Sequence, residues 1–520
     1  MTQETLNYFI KKGFLLDKEL LEFFRDFGNR ESAEALLDGF ALTLKTRIFS
    51  KAMISSRFSD VSPIFALLEK DRKEIIEHFF KIGVVESEIK NVEENQHLKP
   101  NIFKPDFKIL SSKIIPHRRI VVGDFVTHFK NRYNFFRDAL KNSIELSNLV
   151  SIDKISNSRS FSIIGMVYSK RVTKNNNILI ELEDPTGRIS AVINQSKPEL
   201  FEKAKEIVMD DVIGITCMGD RKILFVNDIV FLDSHLQEKK KIDSDVYALF
   251  TSDIHFGSKF FLEERFSRFI DWLNGIGCNE SQKAILEKIK YLFFVGDNID
   301  GVGIFPGQED QLKIKDIKEQ YIKLAEYFNK IPKHINIIMC PGQHDAVRVP
   351  EPQPPVDASF AECLMSIPNL TLVSNPSLIE IESNNKNGGI KVLMYHGASI
   401  HGWIEDVEAL RLCGGHLHPA KVVSYMLRHR HLSPTHSGTT YVPDETFDSL
   451  VIKDVPDIIT TGEVHRSDIE LYNNILIVCN SCWQSSTPFE EKMGNLPDPC
   501  KVPLLNLKTR ELKILDFSGK

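Results

Sequence analysis

The hydrophobic and polar positions along the chain follow three different patterns. Residues 1–87 show apolar positions at helical spacing, as at Leu20 and Phe24, which predicts helices without chemistry. Five strand-like runs occupy residues 158–235, and a helical segment follows the third run. Over residues 246–520, short apolar runs alternate with helical stretches, which is typical of an α/β domain. The chain is therefore predicted to be a multidomain α/β protein.

These patterns divide the 520 residues into five segments. They are a helical N-terminal module (1–87), a flexible linker rich in charge and proline (88–119), a connecting helix (120–157), a barrel (158–235) and an α/β domain (246–520). Five strands with a helix after the third have the order of an OB-fold barrel. Such barrels bind single strands or serve as docking platforms, and the sparse aromatic residues favour docking.

Composition narrows the functional class. A net charge of −6 provides no overall cationic surface for nucleic acid, although a local basic strip could still bind it. The start of the chain lacks signal-peptide features, and no apolar run approaches the roughly 18 residues of a transmembrane helix, so a cytoplasmic protein without membrane contact is expected. Eight cysteines do not make a disulfide scaffold. Most histidines lie after residue 250, which suggests a metal or acid–base site there.

Five apolar runs of the last segment each end in polar residues. The runs VYALF, YLFFV, INIIM, KVLMY and DIIT lead in turn to Asp253 with His255, to Asp297, to Gln343, His344 and Asp345, to His396, and to Glu463 with His465. Strand ends at one edge of a sheet converge, and open α/β sheets place their sites there. Oxygen and nitrogen donors without a thiolate suit Mn²⁺, Fe²⁺ or Zn²⁺. Two such ions sharing a carboxylate would clamp a phosphate group and activate a water molecule.

The order of these motifs resembles that of calcineurin-like metallophosphoesterases. The longer stretches SDIHFGS, VGDNIDGVGIFPGQ, PGQHDAVRVPEPQP, YHGASI and DIITTGEVHR are similar to those of the small subunits of archaeal family D DNA polymerases. The similarity covers roughly residues 120–520. It implies an OB-fold barrel followed by a calcineurin-like phosphoesterase α/β sandwich. It also implies a metal-dependent 3′→5′ exonuclease that proofreads DNA 3′ ends, single-stranded or mismatched, beside a large polymerising subunit.

The resemblance implies a role for each strand-end residue. One metal would be held by Asp253, His255 and His465, with Asp297 bridging to a second metal held also by Gln343, His396 and Glu463. His344, oriented by Asp345, would protonate or stabilise the departing oxygen. Mn²⁺ is the expected ion, with Mg²⁺, Fe²⁺ and Zn²⁺ as alternatives.

Two residues depart from the family pattern, and both belong to the second metal. Gln343 stands where the family has Asn, and Glu463 stands where it has His. Both keep a donor atom, and the more anionic site should favour Mn²⁺ or Mg²⁺. A working nuclease is therefore expected. The alternatives are a non-catalytic assembly subunit with a degenerate site, like the B-subunits of eukaryotic replicative polymerases, and a free-standing phosphodiesterase.

Four further residues are candidates of lesser weight. His416 and His418 form a literal GHxH, but no strand-like run precedes them and Pro419 is placed to begin a helix. Arg348 and Arg466 follow motif residues closely and could reach phosphate oxygens of a substrate, or form structural contacts. The histidine-rich segment RHRHLSPTH is a possible DNA-facing loop. Nothing in the sequence shows whether a sliding clamp docks on the complex.

Overall fold

The computed structural model describes residues 106–116, 118–156, 158–386, 388–488, 490 and 496–519, with isolated positions and short stretches between residues 12 and 49. The chain divides into two compact units, residues 1–101 and 102–520. In the first unit, β1 (Leu15–Leu16) pairs in parallel with β2 (Ile48–Phe49), and residues 36–41 are helical. Most of the helical module predicted over residues 1–87 lies outside the described residues.

The segment before the barrel contains a strand that the sequence did not reveal. β3 (Phe107–Ser112) pairs antiparallel with residues 377–381, so the linker predicted over 88–119 is wrong for residues 107–112. Its partner lies far along the chain, and no local pattern marks an edge strand of this kind. The metallophosphoesterase domain predicted over 246–520 therefore takes one of its strands from before the barrel. Helix α1 (Val122–Leu140) follows and packs its apolar side on the barrel.

The barrel has the predicted OB-type strand order. Its strands are β4 (Ser158–Val172), β5 (Ile178–Asp184), β6 (Gly187–Ile193), β7 (Val212–Gly219) and β8 (Leu224–Val230), closed in the order β4-β5-β6-β8-β7. Helix α2 (Pro198–Lys205) lies between the third and fourth strands. The inner face is apolar and mostly aliphatic, as at Ile180, Ile193 and Ile215, so the barrel interior is a core and not a channel.

Two six-stranded sheets stack on each other in the rest of the second unit. The first has the order β12-β11-β10-β9-β18-β19, with β9 (Tyr247–Thr251), β10 (Ile289–Val295), β11 (Asn336–Cys340), β12 (Leu370–Leu372), β18 (Lys501–Asn506) and β19 (Leu512–Asp516). The second has the order β16-β17-β15-β14-β13-β3, with β13 (Ser377–Ile381), β14 (Ile390–Met394), β15 (Ile458–Thr461), β16 (Asp468–Tyr472) and β17 (Ile475–Cys479).

Helices cover the outer faces of both sheets. They are α3 (Glu263–Leu273), α4 (Glu280–Leu286), α5 (Ile317–Phe328), α6 (Ala358–Met365), α7 (Ile400–Asp406), α8 (Glu408–Leu412) and α9 (Pro419–Arg428), with 3-10 turns at 152–154, 308–310 and 415–417. Successive strand residues face opposite ways, so Phe250 joins the core between the sheets while Leu249 packs under the outer helices. This burial on both faces explains the unbroken apolar runs of the sequence. Within the described residues, the helices are too short or too polar to cross a membrane.

Candidate metal centre

The polar residues after five parallel strands meet at one edge of the sandwich. Strands β9, β10 and β11 of one sheet and β14 and β15 of the other run in parallel within their sheets and end beside one another. Five non-glycine residues in these ends adopt left-handed backbone conformations: Asp253, His255, Asp297, Glu463 and His465. Backbone strain of this kind persists where the surroundings enforce it, typically at functional sites.

The turn after β11 approaches its neighbours so closely that glycine is required. A Cβ atom on Gly342 would lie 2.2 Å from Asp297 Oδ1 and 2.7 Å from the ring of His396. Gly296, after β10, has φ +84°, and a Cβ there would lie 2.2 Å from Nδ1 of His396. The glycines of the sequence motifs therefore allow backbone and ligand side chains from different strands to share one small volume.

The first group of donors consists of Asp253, His255 and His465. Nε2 of His465 lies 3.1 Å from Nε2 of His255 and 3.4 Å from Oδ1 of Asp253. A carboxylate at Nδ1 orients each ring. Asp300 Oδ1 is 3.0 Å from Nδ1 of His255, and Glu490 Oε1 is 2.6 Å from Nδ1 of His465. With Nδ1–H donated to a carboxylate, two Nε2 lone pairs face each other, an arrangement that a shared cation satisfies.

The second group consists of Asp297, Gln343, His396 and Glu463. Nε2 of His396 lies 3.2 Å from Glu463 Oε2 and 3.3 Å from Asp297 Oδ2. Gln343 donates from Nε2 to Glu463 Oε2 at 2.8 Å. Asp253 and Asp297 stand between the two groups, because Asp253 Oδ1 is 3.9 Å from His396 Nε2 and Asp297 Oδ2 is 3.9 Å from His255 Nε2.

The spacing and the unpaired atoms of both groups fit bound divalent ions. Coordination at about 2.0–2.2 Å puts neighbouring ligand atoms about 3 Å apart, which is the spacing seen here. Oε1 of Gln343 is buried and makes no hydrogen bond within the part of the chain that the structure describes, and Nε2 of His396 meets only carboxylate oxygens, at 3.2 and 3.3 Å. Buried polar atoms without a partner are costly, and a metal ion would supply one.

The electrostatics of the second group also fit a cation. Burial disfavours charge on Asp297, yet the neighbouring rings of His396 and His344 hold the pKa of Asp297 well below its usual value. Burial likewise disfavours charge on His396, but Asp297 and Asp253 raise its pKa well above the usual value. The Asp297 carboxylate thus stays ionised and the imidazole of His396 serves as its counter-charge. A divalent ion would take that place and release the proton.

His344 faces the centre, but Asp345 does not orient it. Nδ1 of His344 lies 2.8 Å from the main-chain oxygen of Asp300, and its Nε2 lies 4.0 Å from Asp297 Oδ2. Asp345 is buried and accepts hydrogen bonds from the Gly342 and Asn298 amides and from the Tyr321 hydroxyl. The predicted orienting role of Asp345 is therefore wrong: its carboxylate shapes the turn that carries Gln343 and His344.

The two arginines predicted to bind substrate are bound to the main chain. Arg348 donates to the carbonyls of Pro352 and Ile115, and Arg466 donates to those of Leu417 and Leu496. Both guanidinium groups therefore hold loops together, which is the structural alternative left open by the sequence.

The histidine-rich segment RHRHLSPTH is largely buried. His429 and His431 are buried and contact Asp211 and Asp448, and Arg430 donates to the carbonyl of Ile452. Most of this segment belongs to the contact between barrel and sandwich, and His436 at its end is exposed. A DNA-facing role stays a prediction and is confined to this exposed end.

Three residues of the centre escaped the sequence analysis. Asp300 and Glu490 orient ligand rings, and Nε2 of His401 lies 3.3 Å from Glu463 Oε1. Asp300 is three residues beyond Asp297 in the same motif, so the sequence does offer a carboxylate near the site that could orient the ring of His255. Glu490 and His401 carry no comparable local signal. A cavity of about 500 Å³ opens over the centre, lined also by Phe305.

Residues 249–469, which hold all the strand-end donors, match the family of B-subunits of DNA polymerases alpha and epsilon, so this part of the chain is similar to the small subunits of DNA polymerases. Three curated relatives are each called "DNA polymerase II small subunit". The relative from Methanothermobacter thermautotrophicus is 36% identical over 76% of this chain and 80% of its own length. Those from Archaeoglobus fulgidus and Pyrococcus abyssi are 37% and 34% identical, over 73% and 77% of this chain and 74% and 64% of their own lengths. The chain belongs to the family of DNA polymerase II small subunits, as its motifs predicted.

Proposed function

We propose that this chain is the small subunit of a two-subunit archaeal DNA polymerase and carries a two-metal 3′→5′ exonuclease that removes mismatched or single-stranded 3′ ends. The observation that carries the proposal is the convergence of two donor groups on Asp297, with buried donor atoms left unpaired. A large polymerising subunit is the proposed partner, as the relatives' name implies for those proteins. The cytoplasmic location and any sliding-clamp contact made through that complex stay predictions.

The donor set favours a hard or borderline ion. Two buried carboxylates lie between the groups, the second group adds a third carboxylate, an amide oxygen and one imidazole, and the first group adds two imidazoles. Mn²⁺ accepts this mixture, and Mg²⁺ fits the oxygen-rich second group better than the first. When bound, such ions would polarise a phosphodiester and activate a water molecule.

The chain's own residues supply orientation and proton transfer. Asp300 and Glu490 keep the Nε2 atoms of His255 and His465 directed at the centre. His344 is anchored through Nδ1 to a carbonyl, so Nε2 is the nitrogen that faces the cavity. In its protonated form this nitrogen donates to the oxygen that leaves when the phosphodiester is cleaved.

One observation favours the non-catalytic alternative. Gln343 and His396 both contact the same oxygen of Glu463, so the second group partly satisfies itself. A degenerate site in an assembly subunit would also close on itself in this way. In that case the chain would bind the large subunit and DNA cleavage would not depend on it.

Cleavage of 5′-labelled DNA separates the two proposals. The purified chain, alone and with the large subunit, is titrated with Mn²⁺ on single-stranded and 3′-mismatched substrates. We expect a shortening ladder that vanishes in Asp297→Ala, because this carboxylate stands between both groups. Asp310→Ala is the matched control, since this aspartate is exposed on a nearby turn. An inert parent that still assembles with the large subunit would establish the scaffold instead.

A further inference from the structure

Glu463 is contacted from two sides. Its Oε2 faces His396 and Gln343, at 3.2 and 2.8 Å, and lies toward Asp297. Its Oε1 faces away from this group and lies 3.3 Å from Nε2 of His401. A glutamate has more rotatable bonds than the histidine that the sequence pattern would place here, so it needs an external contact to keep one oxygen directed inward.

His401 is placed for that contact by the turn after β14. Gly397 has φ +124°, which lets the chain leave the strand at His396 and enter helix α7 within a few residues. His396 and His401 therefore reach the same carboxylate from opposite sides. The Nε2 atom of His401 meets Oε1 of Glu463, whereas His396 and Gln343 both meet Oε2.

The other nitrogen of His401 is held by a second histidine. Nδ1 of His401 lies 3.0 Å from Nε2 of His416, and the two rings are 5.1 Å apart. A carboxylate accepts hydrogen bonds only, so His401 donates to Glu463 from Nε2, and its Nδ1 shares a second hydrogen bond with Nε2 of His416. His416 thus holds the ring of His401 at the nitrogen that does not face Glu463, a contact that its sequence position in GHLH does not suggest.

We propose that His401, supported by His416, is a positioning residue that directs Oε2 of Glu463 into the metal centre. This inference rests on the proposed function in one assumption only, namely that the second group binds a metal ion. The arrangement makes the glutamate an effective ligand at a position where the sequence pattern would have a histidine. Partners of this kind, which orient a ligand without touching the metal, change metal affinity by about 10- to 100-fold.

The test measures metal binding and not cleavage. Mn²⁺ is titrated into the full chain and free Mn²⁺ is followed by electron paramagnetic resonance. The parent should bind two equivalents. His401→Ala should weaken the second equivalent about 10- to 100-fold and leave the first unchanged. His401→Gln should restore binding to within about threefold of the parent, because its amide NH₂ can donate to Glu463.

Two further variants complete the design. His418→Ala is the matched control: this histidine is exposed two residues beyond His416 and does not line the cavity. His416→Ala should weaken the same second equivalent less than His401→Ala does, and it keeps the test decisive should His401→Ala fail to fold. Thermal melting of the metal-free proteins identifies a folding defect.

Each remaining outcome overturns the inference in a recognisable way. Parent-like binding by His401→Ala removes the positioning role. Equal losses in His401→Ala and His401→Gln would make the ring itself a ligand. If the parent binds only one equivalent of Mn²⁺, the proposed two-metal function fails as well. This outcome can be told apart from the others because it is measured on the parent, without any substitution.

Discussion

Asp448→Asn should destabilise the protein strongly, because Asp448 is the centre of a buried polar network between barrel and sandwich. Its side chain is fully buried and accepts hydrogen bonds from Arg132 Nε at 2.7 Å and His431 Nε2 at 2.9 Å. Arg132 comes from helix α1, only 1% exposed, and also donates to the main-chain oxygens of Pro434 and Asp210. The network thus joins helix α1 and the barrel to the sandwich.

The magnitude follows from the charge that the substitution leaves behind. Asn keeps the shape and one accepting oxygen, but the guanidinium of Arg132 loses its counter-charge in a buried place. Breaking a buried pair in this way costs about 3–5 kcal/mol. With an m-value of about 3 kcal/mol/M in urea, a loss of about 4 kcal/mol lowers the unfolding midpoint by about 1.3 M.

The assay is urea unfolding of the full chain at pH 7, and two variants make it specific. Asp454→Asn removes the same charge from an exposed side chain 3.7 Å from Lys391, and should cost less than about 1 kcal/mol. Arg132→Met combined with Asp448→Asn should be less harmful than Asp448→Asn alone, since no buried charge remains unpaired. An Asp448→Asn midpoint no lower than that of Asp454→Asn would refute the reasoning.

The effect should also depend on pH in a defined direction. Burial disfavours charge on Asp448, but Arg132 and His431 hold its pKa well below the usual value. A carboxylate with a lowered folded pKa stabilises the protein above its unfolded pKa and loses that contribution as the pH falls through the folded value. The gap between parent and Asp448→Asn is therefore complete at pH 7 and narrows only in acid, below about pH 4.

Three further predictions concern the metal centre and its surroundings. His344→Ala should lower single-turnover cleavage about 10²- to 10⁴-fold while Mn²⁺ content is retained; metal loss in proportion to activity would make His344 a ligand. Gln343→Asn with Glu463→His should shift the metal preference of cleavage toward Zn²⁺ or Fe²⁺, whereas activity that appears only in this double variant would favour the scaffold. Burial raises the pKa of Glu351 in the folded protein from 4.5 to about 8. The unfolded chain therefore releases the Glu351 proton at a lower pH than the folded protein does, and the stability of the parent falls as the pH rises between these two values. Because glutamine does not titrate, the urea midpoint of Glu351→Gln should rise relative to that of the parent over this pH range. A difference in midpoint that stays constant with pH would contradict the raised pKa of Glu351.

Local pattern alone was enough to place the donors of the centre. Asp253, Asp297 and His396 each follow an apolar run, and a strand buried on both faces leaves its first polar residues at the sheet edge. The barrel was equally readable, because its strands alternate apolar and polar positions and are separated by turns. The family followed from the same stretches of sequence, since they carry the motifs.

Short stretches of sequence thus establish which residues end strands and which donor atoms they bring, whereas the contacts of those atoms arise only in the folded chain. Periodicity reports the face of a strand or helix, but a hydrogen bond between distant segments depends on how the sheets stack. The main-chain oxygen of Asp300 therefore holds His344, a role that the family resemblance had implied for Asp345. The contact of His401 with Glu463 joins residues separated along the chain by helix α9, and no short window of sequence contains both. Strand β3 is the same case in the main chain, because an edge strand is defined by its partner and not by its own residues.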